Sequence, residues 1–339
     1  MEIHPFILGI EYSCDDTSAA VIQNYSVISN IRWSQTIHTY YGGVVPEIAS
    51  RVHQRDIVPL VRQVIKSANI QLDQINAISF TLGPGLINSL LVGTNFSKFL
   101  ALSLNIPIIG VHHIQAHILS HFILIRKKYN PKFPFICLTI SGGHTLLVLV
   151  EDCFKMTLLE KTIDDAAGEV FDKISKILGL GYPGGILIDH YAYFGNPNKF
   201  YFYIPNGTNF SFSGLKTQIY YFIMNNLKES KDFVNNNLFD LCASIQNIIV
   251  KILFEKVNMA VELTHLNRIA LSGGVSANSF IRYFFYNAIK INKWELFILP
   301  SEYTIDNAAM IAIVGQFKYE LGCFDNYDIV PESKYGLFF

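Results

Sequence analysis

The chain is poor in charge and in sulfur for its size. Of 339 residues, 16% are charged, and 26 Lys+Arg nearly cancel 27 Asp+Glu. That balance argues against a dedicated basic nucleic-acid binder, and leaves a local patch or a partner as the way to hold a nucleic acid. The 5 cysteines (Cys14, Cys137, Cys153, Cys242 and Cys323) are odd in number and scattered, with no C-x-x-C pair. They exclude a disulfide framework or a zinc knuckle and predict reduced thiols. No basic segment followed by an apolar run opens the sequence, and no Arg-rich leader is visible, so the expected location is cytoplasmic. The longest apolar region, Leu86 to Val111, is broken by Asn88, Ser89, Thr94, Asn95, Lys98 and Asn105. It predicts core rather than a membrane span. A Walker P-loop, a G-x-G-x-x-G fingerprint and an H-E-x-x-H zincin signature are all missing. Their absence argues against a P-loop NTPase, a dinucleotide dehydrogenase and that class of metalloprotease.

What the chain does have is apolar material, 50% of its residues, enough for the cores of two domains or one bilobal unit. Strands are expected at 6–11, 19–22 and 27–33, then a helix from about Pro46 with a break near Pro59. A buried strand at 77–81 stops at Gly83-Pro84-Gly85; a helix at 89–104, a strand at 106–111 and a histidine-bearing helix follow. The pattern then restarts with strands at 135–140, 145–150 and 156–159 and a helix at about 165–178. After polar, Asn-rich inserts near 195–210 and 225–237 come a strand at 267–271, a helix at 276–290, a strand at 294–299 and a last helix at 304–319. Two β-β-β-α-β-α halves predict a duplicated α/β architecture with the ligand in the cleft between lobes. The expected lobes are 1–133 and 134–339, with the last helix able to pack back on the first lobe.

Three groups of residues could carry chemistry. His113 and His117 lie four apart and share one helix face, which suits two imidazoles on one metal ion; a helix with surface histidines has the same spacing. Ser141-Gly142-Gly143-His144 and Ser272-Gly273-Gly274 each follow an apolar strand, and glycine turns there let backbone N–H groups cradle a phosphate or carboxylate. Glu11-Tyr12-Ser13-Cys14-Asp15-Asp16-Thr17 packs three carboxylates after a strand, where a base could be supplied or a polar hairpin simply turn. Asp164-Asp165 and Asp306-Asn307 open helices, where acids are expected from the helix dipole alone.

Together these motifs resemble the tRNA adenosine threonylcarbamoyltransferases, most closely the bacterial form, a family of the actin-like/hexokinase-like ATPase superfamily historically also labelled a glycoprotease. The resemblance rests on Gly9-Ile10-Glu11-Tyr12-Ser13-Cys14-Asp15-Asp16-Thr17, Tyr41-Gly42-Gly43-Val44-Val45-Pro46-Glu47, Gly83-Pro84-Gly85-Leu86 and His113-Ile114-Gln115-Ala116-His117. Ser141-Gly142-Gly143-His144-Thr145, Asp164-Asp165-Ala166-Ala167-Gly168-Glu169 with Phe171-Asp172-Lys173, and Tyr182-Pro183-Gly184-Gly185 extend it. Phe210-Ser211-Phe212-Ser213-Gly214-Leu215-Lys216-Thr217, Gly273-Gly274-Val275-Ser276-Ala277-Asn278 and Asp306-Asn307 complete it.

The resemblance implies transfer of a threonylcarbamoyl group from threonylcarbamoyl-AMP to N6 of adenosine 37 in tRNAs reading ANN codons. It implies one divalent metal, Fe2+ or else Zn2+, on His113, His117 and Asp306. It implies that Thr139, Ile140, Ser141, Gly142, Gly143, Asp172, Gly185, Asp189 and Asn278 hold the adenylate, with Asp15 or Asp16 assisting proton removal. A scaffold paralogue and a small ATPase are the implied partners, with no membrane. Tyr12, Asp16, Gln115, Ile305, Ala308 and Asn88 depart from the commonest family pattern; none is an implied metal ligand, and Gln115 rules out a carboxylate between the histidines. Rival readings are a sugar or acetate kinase of the same superfamily, a carbamoyltransferase with another acceptor, and a non-catalytic scaffold subunit. The Arg126-Lys127-Lys128 run could touch phosphate or be a solvated loop.

Overall fold

The computed structural model describes residues 4–124, 130–203 and 211–336; the Arg126-Lys127-Lys128 run and Phe210 lie outside them. Ten strands are present among these residues: β1 Phe6–Glu11, β2 Asp16–Gln23, β3 Ser26–Ser34, β4 Ile75–Gly83, β5 Ile108–His112, β6 Phe135–Ile140, β7 Thr145–Val150, β8 Met156–Lys161, β9 Arg268–Ser272 and β10 Glu295–Ile298. The helices are α1 Pro46–Ser67, α2 Ile87–Leu104, α3 His113–Leu119, α4 Ala167–Ile177, α5 Gly184–Ala192, α6 Ser213–Glu229, α7 Phe233–Thr264, α8 Ser279–Asn292, α9 Ser301–Thr304 and α10 Ala308–Glu320. The five cysteines are free thiols.

The chain divides into two compact units, one made of Met1–Pro131 with Leu299–Phe339 and the other of Lys132–Ile298. The division therefore differs from the expected 1–133 and 134–339: the last 41 residues group with the first unit. The reason is packing, because α10 lies on β1, β2, β4 and β5. Each unit is built on one five-stranded sheet, in the orders β3-β2-β1-β4-β5 and β10-β9-β6-β7-β8. In the first, β1, β2 and β3 are antiparallel while β1, β4 and β5 run parallel. The second repeats this with β6, β7 and β8 antiparallel and β6, β9 and β10 parallel. The expected duplication is thus present strand for strand.

The strand residues explain their burial. Alternate residues of β1 serve opposite faces of the sheet. Leu8 and Ile10, with Tyr12 just beyond, join the core made with α1 and α2 through Leu60, Val64 and Leu90. Gly9 meets α10 instead: a Cβ there would fall 2.4 Å from the Ala308 carbonyl oxygen and 2.8 Å from the Ala312 Cβ. Only a residue without a side chain lets this apolar helix lie so close to the central strand. Ser18 fixes its start, its Oγ accepting from Ala308 N–H at 2.9 Å.

Two expectations about helices are corrected. α1 does not break at Pro59; Pro59 and Arg55 are exposed, so the carbonyl that proline leaves unpaired is on the wet side. The supposed insert at 225–237 is the end of α6 and the start of α7. α7 is long and apolar enough to cross a membrane, but 67% of its apolar window is buried in the protein; it is the central core helix of the second unit, with Leu241, Ile245, Ile249 and Leu253 at no exposure.

The close approach at Gly9 yields an expected outcome. Gly9→Ala forces α10 away from β1 and costs about 1–3 kcal/mol of stability, read as a lower urea midpoint, whereas Gly179→Ala, where a Cβ meets nothing within 4 Å, costs chiefly the strain of its positive φ, on the order of 1 kcal/mol.

Candidate functional site

The first unit gathers a compact group of acids and imidazoles. β5 ends at His112 and α3 begins at His113 with no linker, so all seven α3 residues are buried. His113 and His117 project from one side of it, ring centroids 4.7 Å apart and nearly perpendicular. Asp306 arrives from the turn before α10, where Asn307 caps the helix by accepting from Met310 N–H. Its Oδ1 lies 3.0 Å from His117 Nε2 and 3.5 Å from His113 Nε2. One donor atom from each of the three side chains lies within 4.8 Å of the others, which is the geometry of a common metal ion.

Glu11, a residue that sequence reasoning left unassigned, completes the group. Its Oε2 lies 3.1 Å from His113 Nδ1. The same carboxylate accepts from Ser13 N–H at 2.6 Å and from the Thr81 hydroxyl at 2.6 Å. His113 therefore presents Nδ1–H to Glu11 and aims its Nε2 at Asp306. A carboxylate behind a ligating imidazole orients the ring and raises its basicity. The only hint in the sequence was a Glu at the end of a buried strand.

The electrostatics of the group favour a cation. Burial opposes charge on His113, but Glu11 and Asp306 outweigh it and raise the imidazole to about 9. Burial likewise opposes ionisation of Asp306, and His113 and His117 overcome it, leaving the carboxyl well below its ordinary range. Two carboxylates facing two imidazoles hold positive charge, as a proton or as a metal that displaces it. His117 Nδ1, buried without a hydrogen-bond partner, is an unused donor atom on the same ring. The residue set thus fits the implied metal: imidazole and carboxylate ligands suit iron and zinc alike.

Asp15 and Asp16 lie between Glu11 and the rest of β2. The turn is held from below by His53, whose Nε2 donates to the Cys14 carbonyl at 2.9 Å and whose Nδ1 lies 2.8 Å from the Thr17 hydroxyl. Asp16 pairs with Arg32 at 3.1 Å. Burial raises its carboxyl; Arg32 opposes, Asp306 and Asp15 add to the rise, and the result is about 6.

The second unit assembles the other expected residues. Thr139 on β6 pairs with Ser272 on β9, so the two glycine turns leave from adjacent parallel strands. Thr139 Oγ1 and Ser272 Oγ are 2.9 Å apart, and the side chains of Thr139 and Ile140 are buried. What the turn exposes is Gly142 and Gly143, where no atom comes within 4 Å of an added Cβ. The turn is closed by Ser141 N–H donating to His144 O at 2.8 Å and His144 N–H donating to Ser141 Oγ at 3.1 Å. The start of α4 packs against it, and a Cβ on Gly168 would fall 2.5 Å from the Ser141 carbonyl oxygen.

Asp172, Gly185, Asp189 and Asn278 sit at helix starts or join them. Asp172 on α4 accepts from Gly184 N–H at 2.7 Å, tying α4 to the start of α5, which holds Gly185. Asp189 on α5 accepts from Ser279 N–H and Oγ–H at 2.9 and 2.8 Å. Asn278 caps α8, accepting from Ile281 N–H, and donates to Gln246. Asp165 binds Lys173 at 2.8 Å, and Asp164 accepts from Phe212 N–H at 2.8 Å, so that acidic pair has structural partners. Tyr12 is a core residue, and its departure from the family pattern is a packing change.

Comparison with known proteins gives one answer. The tRNA N6-adenosine threonylcarbamoyltransferase family matches residues 26–313. A protein of that name from Riemerella anatipestifer is 53% identical over 337 residues, covering 98% of each chain. One from Christiangramia forsetii is 52% identical over 331 residues, covering 97% of each. Among solved structures, full-length HypF in its phosphate- and nucleotide-bound form aligns with 96% of this chain at a TM-score of 0.63 and 12% identity. The chain spans 48% of that protein's length. The activator of 2-hydroxyisocaproyl-CoA dehydratase from Clostridium difficile aligns with 95% of this chain and 98% of its own at a TM-score of 0.53 and 13% identity. These structures share the fold. The chain belongs to the tRNA N6-adenosine threonylcarbamoyltransferase family.

Proposed function

We propose that this chain moves the threonylcarbamoyl group of threonylcarbamoyl-AMP to N6 of adenosine 37 in tRNAs reading ANN codons. The observation that carries the reading is the convergence of His113, His117 and Asp306, with Glu11 behind His113. His113, His117 and Asp306 would hold one divalent metal, Fe2+ in preference to Zn2+. When bound, such an ion supplies Lewis-acid stabilisation of negative charge on the donor.

The chain's own groups account for the rest. The exposed Gly142 and Gly143 stand beside the start of α4, where backbone N–H groups and the helix dipole favour a phosphate. Asp172, Gly185, Asp189 and Asn278 would frame the adenylate around the starts of α5 and α8. The N6 amine is a poor nucleophile because its lone pair is delocalised into the ring. In the transfer, N6 bonds to the carbamoyl carbon, the bond from that carbon to the phosphate oxygen breaks, and AMP leaves. The proton lost by N6 goes to a base, and Asp16, at about 6, is poised for that near neutral pH; Asp15 is the alternative.

A kinase would leave the metal-type cluster without a task, and a scaffold subunit would have no need of it. The near-neutral net charge suits a chain that holds tRNA within an assembly, here with a scaffold paralogue and a small ATPase, in the cytoplasm.

The decisive test is nucleoside mass spectrometry on an unmodified ANN-reading tRNA given threonylcarbamoyl-AMP, with and without the partners. Threonylcarbamoyladenosine at position 37 is expected, and its loss on chelation or with His113→Ala. Absence of product with metal and partners present would favour the scaffold or another acceptor. Gly168→Ala should raise KM for the donor roughly tenfold or more by displacing the Ser141 turn. Asp16→Asn should cut kcat on the order of a hundredfold. Its stability effect has a defined sign. The folded carboxyl sits near 6 against an ordinary 3.8, so the native state binds more protons between those values and loses stability as pH rises through them. In the metal-free protein, Asp16→Asn should match wild type at about pH 3 and exceed it by up to about 3 kcal/mol at pH 7, measured by urea unfolding.

A further inference from the structure

The C-terminal segment after α10 reaches the same site from outside. Asp325 N–H donates to Ile108 O at 3.0 Å and its Oδ2 accepts from Gly110 N–H at 2.7 Å, along the edge strand β5. Lys98 Nζ donates to the Ile329 carbonyl. Glu332 N–H then donates to Leu82 O at 2.9 Å, and Ser333 O accepts from Gly85 N–H at 3.3 Å. The segment passes over His112, where the Tyr335 ring lies 4.9 Å from the imidazole between centroids.

The bonds of His112 settle its tautomer. Its Nε2 lies 3.1 Å from the Tyr335 carbonyl oxygen, which can only accept, so Nε2 carries the hydrogen. Its Nδ1 lies 3.2 Å from Ile114 N and 3.4 Å from Gln115 N, which can only donate, so Nδ1 carries the lone pair. The ring thus links the strap on one nitrogen to the Ile114 and Gln115 amides at the start of α3 on the other. α3 has only seven residues, too few to hold its own direction.

We propose that His112, held by the 325–335 strap, is a positioning residue for the His113 and His117 pair and sets the affinity of the site for metal. This rests on the metal reading above. The strap fixes the ring, the ring caps α3, and the cap sets where two imidazoles on adjacent turns point. A partner behind the ligands typically changes metal affinity 10–100-fold, and here the partner acts through a helix start.

The test is Co2+ titration of the metal-free protein, followed by visible absorption, with hydrogen exchange of the α3 amides as a readout independent of metal. The variants are His112→Ala, His112→Asn, a chain ending at Ser333, and His113→Ala as the ligand control. His112→Ala and the chain ending at Ser333 should each bind Co2+ about tenfold more weakly and exchange the Ile114 and Gln115 amides faster. Combining them should add little, because both cut one relay. His112→Asn, which keeps an acceptor for the helix amides, should recover part of the loss. Unchanged Co2+ affinity in both folded variants, even with a lower melting temperature, would overturn the proposal and leave the strap a stability element. If wild type binds Co2+ no better than His113→Ala, the metal reading itself fails and the proposal falls with it.

Discussion

A carboxylate with no exposure to solvent must be met by donors or by positive charge. Glu11 is such a group, at the end of the central strand β1. Ser13 N–H, the Thr81 hydroxyl and the His113 ring meet it. Each donor comes from a different part of the fold. Ser13 belongs to the turn after β1, Thr81 to the parallel neighbour β4, and His113 to the helix that follows β5. Satisfying one carboxylate therefore holds three segments together at the same edge of the first unit. The turn that carries Asp15 and Asp16 is part of that arrangement.

The same economy recurs in the second unit. Asp172, Asp189 and Asn278 bond to the starts of α5 and α8 before any ligand is considered. These bonds tie distant segments of the second unit together and fix the side chains that make them. Such residues are preorganised: their rotamers are held by the protein, so binding need not order them. Changing any of them disturbs these helix starts, whereas Gly142 and Gly143, with open space around them, report more directly on the turn itself.

The duplicated sheets present different groups at equivalent strand ends. In the first unit the ends of the parallel strands deliver side chains, Glu11, Thr81 and His112. In the second the equivalent strand ends deliver backbone, through Ser141-Gly142-Gly143 and Gly273-Gly274. Side chains suit a cation and backbone N–H groups suit an anion. The departures at Tyr12 and Gln115 fall on buried positions and leave His113, His117 and Asp306 in place.

Local pattern made much of this legible. The apolar strands, the two glycine turns that end them and the i, i+4 histidines depend on residues near one another in sequence, so their periodicity shows in the chain itself. α5, α6 and α7 were not legible: α5 is short, and the Asn-rich junction of α6 and α7 has the composition of a loop, overridden by apolar stripes that pack in the core. Asp306 came into view only through resemblance, since an acid before a helix is explained by the dipole alone. What the tertiary structure decided is proximity. It returned α10 across β1, at a contact that only Gly9 permits, and so brought Asp306 to His117, 189 positions away. It placed Thr81 and His113 on Glu11 and laid the C-terminal strap on His112. The sequence by itself determined which side chains could hold a metal or a phosphate, because that is chemistry carried by each residue. Which of them meet depends on packing between distant segments, and no local pattern encodes that.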